Sequence, residues 1–348
     1  MARIEIAPLT QWITRAATEH AADLPAHLMQ RLQISRRQAT LALHKLVALQ
    51  WLQSQGTPRH PRYTPGQLRQ VVQRYPLQGL QEDLPWRRDF APCFDLPPPV
   101  QQMAQHAFTE LVNNAIDHSG GQSLTVSMRQ TPLQLQLLVS DDGCGLFRRI
   151  AESFDIQDPA LALLELNKGK LTSAPDRHSG HGLFFTSRLA DVFDIHANGS
   201  AWQRRAWERR AWRQGKAGAV SHRAGTSIYL AIMLDTPRTL DHTLQAHSAS
   251  GTSYDFGRTA VEMQLMAPVG AMLASRADAK RAVQRLGEFR HAELDFTGIS
   301  SIGHGFADEL FRVFVREHPQ VQLSPTGMAP QVAAMVASVR AVSGPPVS

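Results

Sequence analysis

Two polar residues one helical turn apart carry the first sign of chemistry. In 108-FTELVNNAIDHSGG-121, Glu110 and Asn114 are four residues apart and share one side of a helix, near Asn113 and Asp117. Phe108, Leu111, Val112, Ala115 and Ile116 recur at the spacing of a buried stripe on the other side. A face meant only for water usually carries Lys, Arg and Glu, which favour helix, whereas two adjacent Asn and an Asp weaken it. That choice calls for a role other than solvation.

Three further stretches follow in order. First, 135-LQLLVSDDGCGL-146 reads as a strand that runs into Asp141-x-Gly143-x-Gly145, where glycines let the backbone approach a ligand and Asp141 can accept a hydrogen bond from an exocyclic amine. Next, 177-RHSGHGLFFTSRLADVF-193 places Gly180-x-Gly182-Leu183 at the opening of a helix whose free N–H groups suit phosphate. Last, Gly225-Thr226 leads into the strand 227-SIYLAIML-234.

Taken singly, each is a common turn. Together and in this order they resemble the GHKL (Bergerat-fold) ATPase family, the nucleotide-binding domain shared by gyrases, MutL and the histidine kinases, over roughly residues 96–235. The resemblance implies that the polar helix face holds Mg-ATP. By position, Asn114 would be the Mg²⁺ ligand, a neutral oxygen donor that leaves most coordination to phosphate and water. Asp141 would recognise the adenine amino group, with Gly143 and Gly145 near the base and Thr226 beside it. Residues 146–180 would form a flexible lid, and Gly180, His181, Gly182 and Leu183 would support the phosphates. Asp117 and Lys170 complete the expected nucleotide contacts, and Lys168, Arg177 and His178 are further lid cations able to reach toward the γ-phosphate.

Glu110 bears on the reaction. Within this family, members that activate water or a serine hydroxyl carry Glu four residues before the magnesium Asn, because those nucleophiles need a general base; members that phosphorylate histidine generally carry Asn there. His106 lies one turn earlier in the same helix and reads as a structural histidine, which disfavours a complete sensor histidine kinase.

The elements that must position these residues belong to a chain of 348 residues, long enough for two or three domains. A hydrophobic content of 43% and a charged content of 19% describe a folded protein, and no apolar run approaches the roughly 20 residues that span a bilayer. No secretory signal is read at the start, and two cysteines, Cys93 and Cys144, exclude a disulfide framework; a cytoplasmic location is expected. Residues 1–90 hold 12 Lys/Arg against 6 Asp/Glu, so the whole net charge of +6 resides there.

That basic N-terminus reads as short helices, 24–32 and 35–51, followed by a basic tail. Ser35 is a plausible N-cap, and Ala39, Leu43, Leu46 and Val47 form a stripe that leaves Arg36, Arg37, Gln38, Thr40, His44 and Lys45 outward. Beyond the Gly56–Pro58 turn, Arg59 and Arg62 would meet phosphates on a small β wing. The segment resembles a winged helix-turn-helix, which implies DNA binding through these residues.

The expected fold class is multidomain α+β. A winged helix at 1–75 leads through a Pro-rich linker at 76–99 to a GHKL α/β sandwich at 100–236, a mixed sheet with helices on one face. A STAS-like α/β domain follows at 254–340, with a disordered tail at 341–348. The STAS resemblance rests on 291-HAELDFTGISSIGHGFADELFRVFVREHP-319, where an apolar strand ends at Asp295 and a loop leads to an amphipathic helix. In that family a serine at the helix start is phosphorylated by a GHKL kinase; here the stretch is Ile302-Gly303-His304-Gly305, with Ser300 and Ser301 close by. One segment fits no family pattern: 201-AWQRRAWERRAWRQGK-216 holds three of the six Trp and suits either nucleic-acid contact or a two-sided hairpin.

The expected function is an ATP-binding, DNA-associated regulator with ATP and Mg²⁺ as cofactors and weak ATPase activity. The alternative is a serine/threonine protein kinase of the anti-sigma-factor type acting on a STAS domain. DNA and a protein docking on the STAS-like domain are the expected partners, with no membrane; the resemblance also admits a homodimer, although the sequence marks no interface.

Overall fold

The computed structural model describes residues 4–57, 60–171, 180–208, 212–215, 224–267 and 272–342. The N-terminal part forms α1 (Ala7–Thr10), α2 (Ile13–Glu19), α3 (Leu24–Leu32) and α4 (Arg36–Ala48), then β1 (Leu52–Thr57), β2 (His60–Pro65) and β3 (Arg69–Pro76). The middle contains α5 (Pro98–His118), β4 (Ser123–Gln130), β5 (Gln134–Asp141), α6 (Leu146–Phe154), α7 (Pro159–Lys168) and α8 (Gly182–Leu189). Strands β6 (Val192–Ala197), β7 (Ser200–Arg205), β8 (Arg213–Gln214) and β9 (Thr226–Met233) follow. The C-terminal part comprises α9 (Leu240–Ala246), β10 (Arg258–Glu262), α10 (Arg276–Val283), β11 (His291–Asp295), α11 (His304–Asp308), α12 (Val315–Glu317), β12 (Gln322–Thr326) and α13 (Pro330–Val342).

These elements gather into two units, one within Met1–Leu146, Ala190–Gln203 and Gly215–Pro237, the other within Phe147–Leu189, Arg204–Gln214 and Arg238–Ser348. In the first unit, α1 to α4 bury Leu9, Ile13, Leu24, Leu28, Ala39, Leu43 and Leu46 around Trp51 and Tyr63. Ser35 begins α4 with a complete capping box: its hydroxyl accepts the Gln38 N–H, and the Gln38 side-chain oxygen accepts the Ser35 N–H at 3.0 Å. The chain then turns into an antiparallel β1–β2 hairpin registered Leu52 to Pro65 through Thr57 to His60.

The sheet of this unit runs β3-β4-β5-β9-β6-β7, with the β3–β4, β4–β5, β5–β9 and β9–β6 pairs antiparallel. Alternation of buried and half-buried positions along β4 and β5 gives one apolar face, built from Leu124, Val126, Met128, Leu135, Leu137 and Val139. Helix α5 contributes Val100, Met103, Ala107, Phe108, Leu111, Val112 and Ala115 to the core.

Two boundary expectations need correction. Residues 69–75, assigned to the N-terminal domain, and Pro76, assigned to the linker, form the edge strand of this sheet, paired from Arg69–Gln130 to Pro76–Ser123. The supposed linker is folded as well: a π-turn at Trp86–Phe90 buries Trp86 and Phe90 against Phe108, ring centroids 5.3 and 5.1 Å apart. Of the prolines in the expected linker, Pro76 ends the edge strand β3, Pro92 lies in a short turn, and Pro98 and Pro99 open α5, where a missing N–H costs nothing.

In the second unit β10, β11 and β12 form a parallel sheet in sequence order, and Val261 and Leu294 are fully buried. Helix α10 connects the first pair, and α11, a π-turn at Glu309–Phe314 and α12 connect the second, as parallel strands require. The strand ending at Asp295 stands where the sequence placed it; α13 reaches Val342, two residues past the expected end of the domain, and residues 343–348 lie outside those described. The same unit includes α6, α7 and α8. The expected lid is therefore partly a core helix, because α7 buries Ala162, Leu163, Leu164, Glu165, Asn167 and Lys168. Among the described residues no helix is long and apolar enough to cross a membrane.

Candidate functional site

Helix α5 presents Glu110, Asn113 and Asn114 half-buried, with Asp117 exposed at its end. The face is neither sealed in the core nor fully solvated, as ligand-contacting side chains require. His106 is different: its Nε2 is buried with no hydrogen-bond partner among the described residues, and burial lowers its pKa, which fits the structural histidine expected there.

The end of α5 is fastened to the Asp141 loop. The Ser119 carbonyl accepts the Cys144 N–H at 2.9 Å, and the Ser119 hydroxyl accepts the Gly121 N–H at 3.0 Å. A Cβ on Gly143 would lie 2.1 Å from the Ser119 oxygen, so only glycine permits this approach. Gly145 has φ +89° and sits against Asn198, whose side-chain amide donates to the Cys144 carbonyl at 2.9 Å.

Asp141 closes β5 with its carboxylate held by backbone. Oδ1 accepts the Gly143 N–H at 2.9 Å and the Thr226 N–H at 3.2 Å. Gly225, at φ +90°, passes so close that a Cβ would be 2.1 Å from the Asp141 carbonyl oxygen. Oδ2 has no hydrogen-bond partner among the described residues and remains an open acceptor. Burial pushes the carboxyl pKa up, against the two N–H groups that favour the anion. The neighbouring Asp142 is structural: it accepts from Gln122 N, Ser123 N and Ser123 Oγ, the last at 2.6 Å.

The first unit thus brings together Glu110, Asn114 and Asp117 on one helix, and Asp141, Gly143, Gly145 and Thr226 around one strand end. In the second unit, Gly180 has φ +68° and Gly182 opens α8, with Leu183 half-buried. His181 packs edge-on against Phe256 at 4.8 Å, and burial together with Lys170 lowers its pKa to about 4, so it is neutral at physiological pH. The lid cations behave differently from expectation. Lys168 is fully buried and donates to Glu165 and to the carbonyls of Arg281 and Gln284. Lys170 donates to the Glu288 carbonyl at 2.6 Å and lies 4.3 Å over the Phe289 ring. Both ammonium groups are engaged inside their own unit, and Arg177 and His178 lie outside the described residues.

On α4, Arg36, Arg37, Thr40, His44 and Lys45 are exposed, and Arg62 is exposed on β2; Arg59 lies outside the described residues. Gln38 and Thr40 are occupied locally, Gln38 in the capping box and Thr40 by donating to the Arg36 carbonyl at 3.0 Å. Beside them the exposed surface of α4 carries the cationic and imidazole groups together with Leu41, which is 61% exposed. In the Trp-rich insert, Trp202 and Trp212 are buried while Trp207 is 68% exposed, and residues 209–211 lie outside those described.

Ser119, Asn198 and Asn167 escaped the sequence reading. Asn198 was within reach: Asn198-Gly199 joins two alternating strands, and both residues adopt positive φ, 50° and 77°, as a tight hairpin demands. Ser119 meets the Asp141 loop through its carbonyl, which no residue type announces.

Two stretches of the chain match known families of domain. Residues 84–202 match the histidine kinase-like ATPase domain. Residues 278–333 match a STAS-like domain of unknown function, DUF4325. No curated protein matches the chain. The protein therefore joins a histidine kinase-like ATPase domain to a STAS-like domain.

Proposed function

We propose that the chain is an ATP-controlled regulator in which nucleotide binding to the ATPase domain governs what its other domains bind. The observation that carries this reading is the Asp141 carboxylate, anchored through Oδ1 to two backbone N–H groups and open at Oδ2 beside a loop that excludes any Cβ. An oriented acceptor of this kind suits the exocyclic amine of adenine. The residues fit the implied group: Asn114 offers a half-buried amide oxygen for magnesium, and Gly143 and Gly145 let the loop that carries Asp141 close on Ser119 and Asn198 and so fix the acceptor. When bound, Mg-ATP supplies the transferable phosphoryl group; Glu110, one turn before Asn114, is the chain's own candidate to take a proton from the attacking hydroxyl.

DNA is the proposed partner of the N-terminal module. Arg36, Arg37, His44 and Lys45 share the exposed face of α4, and Arg62 stands on the adjoining hairpin, the composition that phosphate and groove contacts require.

A second reading has its own support: Glu110 precedes Asn114 on a domain that occurs here with a STAS-like domain, a combination suited to a serine/threonine protein kinase. Label from γ-labelled ATP retained on protein favours the kinase, and label released as free phosphate favours the switch.

The deciding experiment is a thermal unfolding scan with Mg-ATP, Mg-ADP and no nucleotide, on wild type and Asn114→Ala. Ligand at 100 times its dissociation constant adds about 2.7 kcal/mol to the domain that holds it, a shift of several degrees. A shift that the substitution abolishes supports the site; no shift in wild type refutes it.

A further inference from the structure

Within the second unit, Asn167 on α7 is 97% buried and binds three other elements at once. Its amide donates to Glu262 Oε1 on β10 at 3.0 Å. Its side-chain oxygen accepts from Arg188 on α8 at 3.0 Å and from the Trp212 indole at 3.1 Å. The Trp212 backbone N–H closes the circuit on Glu262 Oε2 at 3.2 Å. Arg188 also reaches the Asn167 carbonyl at 3.3 Å, and Arg204 caps the same helix by donating to the Ser187 carbonyl at 2.8 Å. A second tie runs beside the first: Thr259 Oγ1 on β10 donates to the Lys168 carbonyl at 2.7 Å.

Apolar packing alone would tolerate small slides between α7, α8 and β10. A buried polar hub does not, because each partner has one geometry in which every donor and acceptor is met, and leaving one unmet in the core is costly. Arg188 cannot shift without breaking both of its bonds to Asn167, and Asn167 cannot follow it without losing Glu262. The hub joins the helix opened by Gly182 to β10, the strand paired with β11 of the STAS-like segment. It also gives the Trp/Arg insert a role, since Trp212 completes the circuit from that insert.

We infer that Asn167 is a positioning residue through which the STAS-like domain sets the conformation of α8 and of the Gly180–Gly182 loop before it. Whatever binds the STAS-like domain then alters that loop, and whatever engages the loop alters the strand. The extension to nucleotide rests on the ATP-binding reading; the mechanical link does not.

Hydrogen exchange on the full chain tests both parts. Without nucleotide, Glu262→Gln should speed exchange of the 182–189 amides about tenfold, and the milder Trp212→Phe, which removes one donor, about threefold. Unchanged exchange at 182–189 in both variants overturns the link. In wild type, Mg-ATP should slow exchange at 140–146 and at 258–262 together, as reciprocal coupling demands, and Asn167→Ala should abolish the second effect while keeping the first. Protection at 140–146 with none at 258–262 in wild type overturns the coupling. Protection nowhere sinks the nucleotide reading alone, and the Glu262→Gln and Trp212→Phe results still decide the link.

Discussion

Oδ1 of Asp141 accepts the backbone N–H of Thr226 at 3.2 Å, which fastens the last residue of β5 to the first of β9 and leaves Oδ2 without a hydrogen-bond partner among the described residues. Asp141→Asn keeps an acceptor for those amides and replaces the other oxygen by a donor. Mg-ATP affinity is expected to fall roughly 10- to 100-fold with little loss of thermal stability, measured by titration calorimetry. Because burial raises this carboxyl's pKa, wild-type affinity should also decline as pH falls, beginning above the range where an exposed aspartate protonates. A flat profile above that range would argue against an ionised Asp141 as the acceptor.

Glu110→Ala separates binding from turnover. A general base contributes roughly 10²- to 10⁴-fold, so phosphate release or protein labelling should drop by at least the lower figure while the dissociation constant for Mg-ATP stays within about threefold. Surviving turnover would remove Glu110 from the chemistry.

Arg36→Ala combined with Arg37→Ala should weaken DNA binding and reduce the slope of log affinity against log salt by about 2, close to one counterion per lost phosphate contact. Fluorescence anisotropy at several salt concentrations reads the slope, and an unchanged slope would end the DNA proposal for α4.

Asp89 tests the frame. It is 1% exposed and accepts from the Tyr75 hydroxyl at 2.7 Å and from Arg88 at 2.8 and 3.0 Å, with Arg15 at 3.0 Å. Burial works to raise its pKa, but the hydrogen bonds from Arg88 and Tyr75 and the Arg15 charge leave it lowered. A depressed carboxyl contributes stability above its unfolded pKa of about 3.9 and loses it as pH falls through the folded value. Asp89→Asn should cost about 2 to 3 kcal/mol near neutrality, with the gap to wild type closing in acid; denaturant midpoints across pH measure it.

Much of this architecture was legible. The period of 3.6 in Phe108, Leu111, Val112 and Ala115 marked α5, and the alternation in 135-LQLLVSD-141 marked β5, because each element buries one face. The capping box at Ser35 follows from residue type alone. Long-range commitments were not legible. Nothing local in Lys168 or Lys170 says that one ammonium is sealed beside Glu165 and the other placed over Phe289, since these partners arrive from residues far along the chain. Prolines misled for a related reason: they forbid a ladder N–H or an interior helix position, yet they do not forbid packing, and Trp86 and Phe90 fold between them.

Strand β3 belongs to two modules at once. On one edge it pairs with β4, and on the other the Gln70 and Val72 N–H groups donate to the Thr14 hydroxyl and the Gln11 carbonyl of the N-terminal helices. A fragment cut at residue 84, where the ATPase-domain match begins, would lose β3 and lay open the backbone of β4, a bare sheet edge prone to intermolecular pairing. The N-terminal module is thus no detachable cartridge that recombination could simply exchange for another. Any lineage that replaced it would first have to find a new strand to close the sheet.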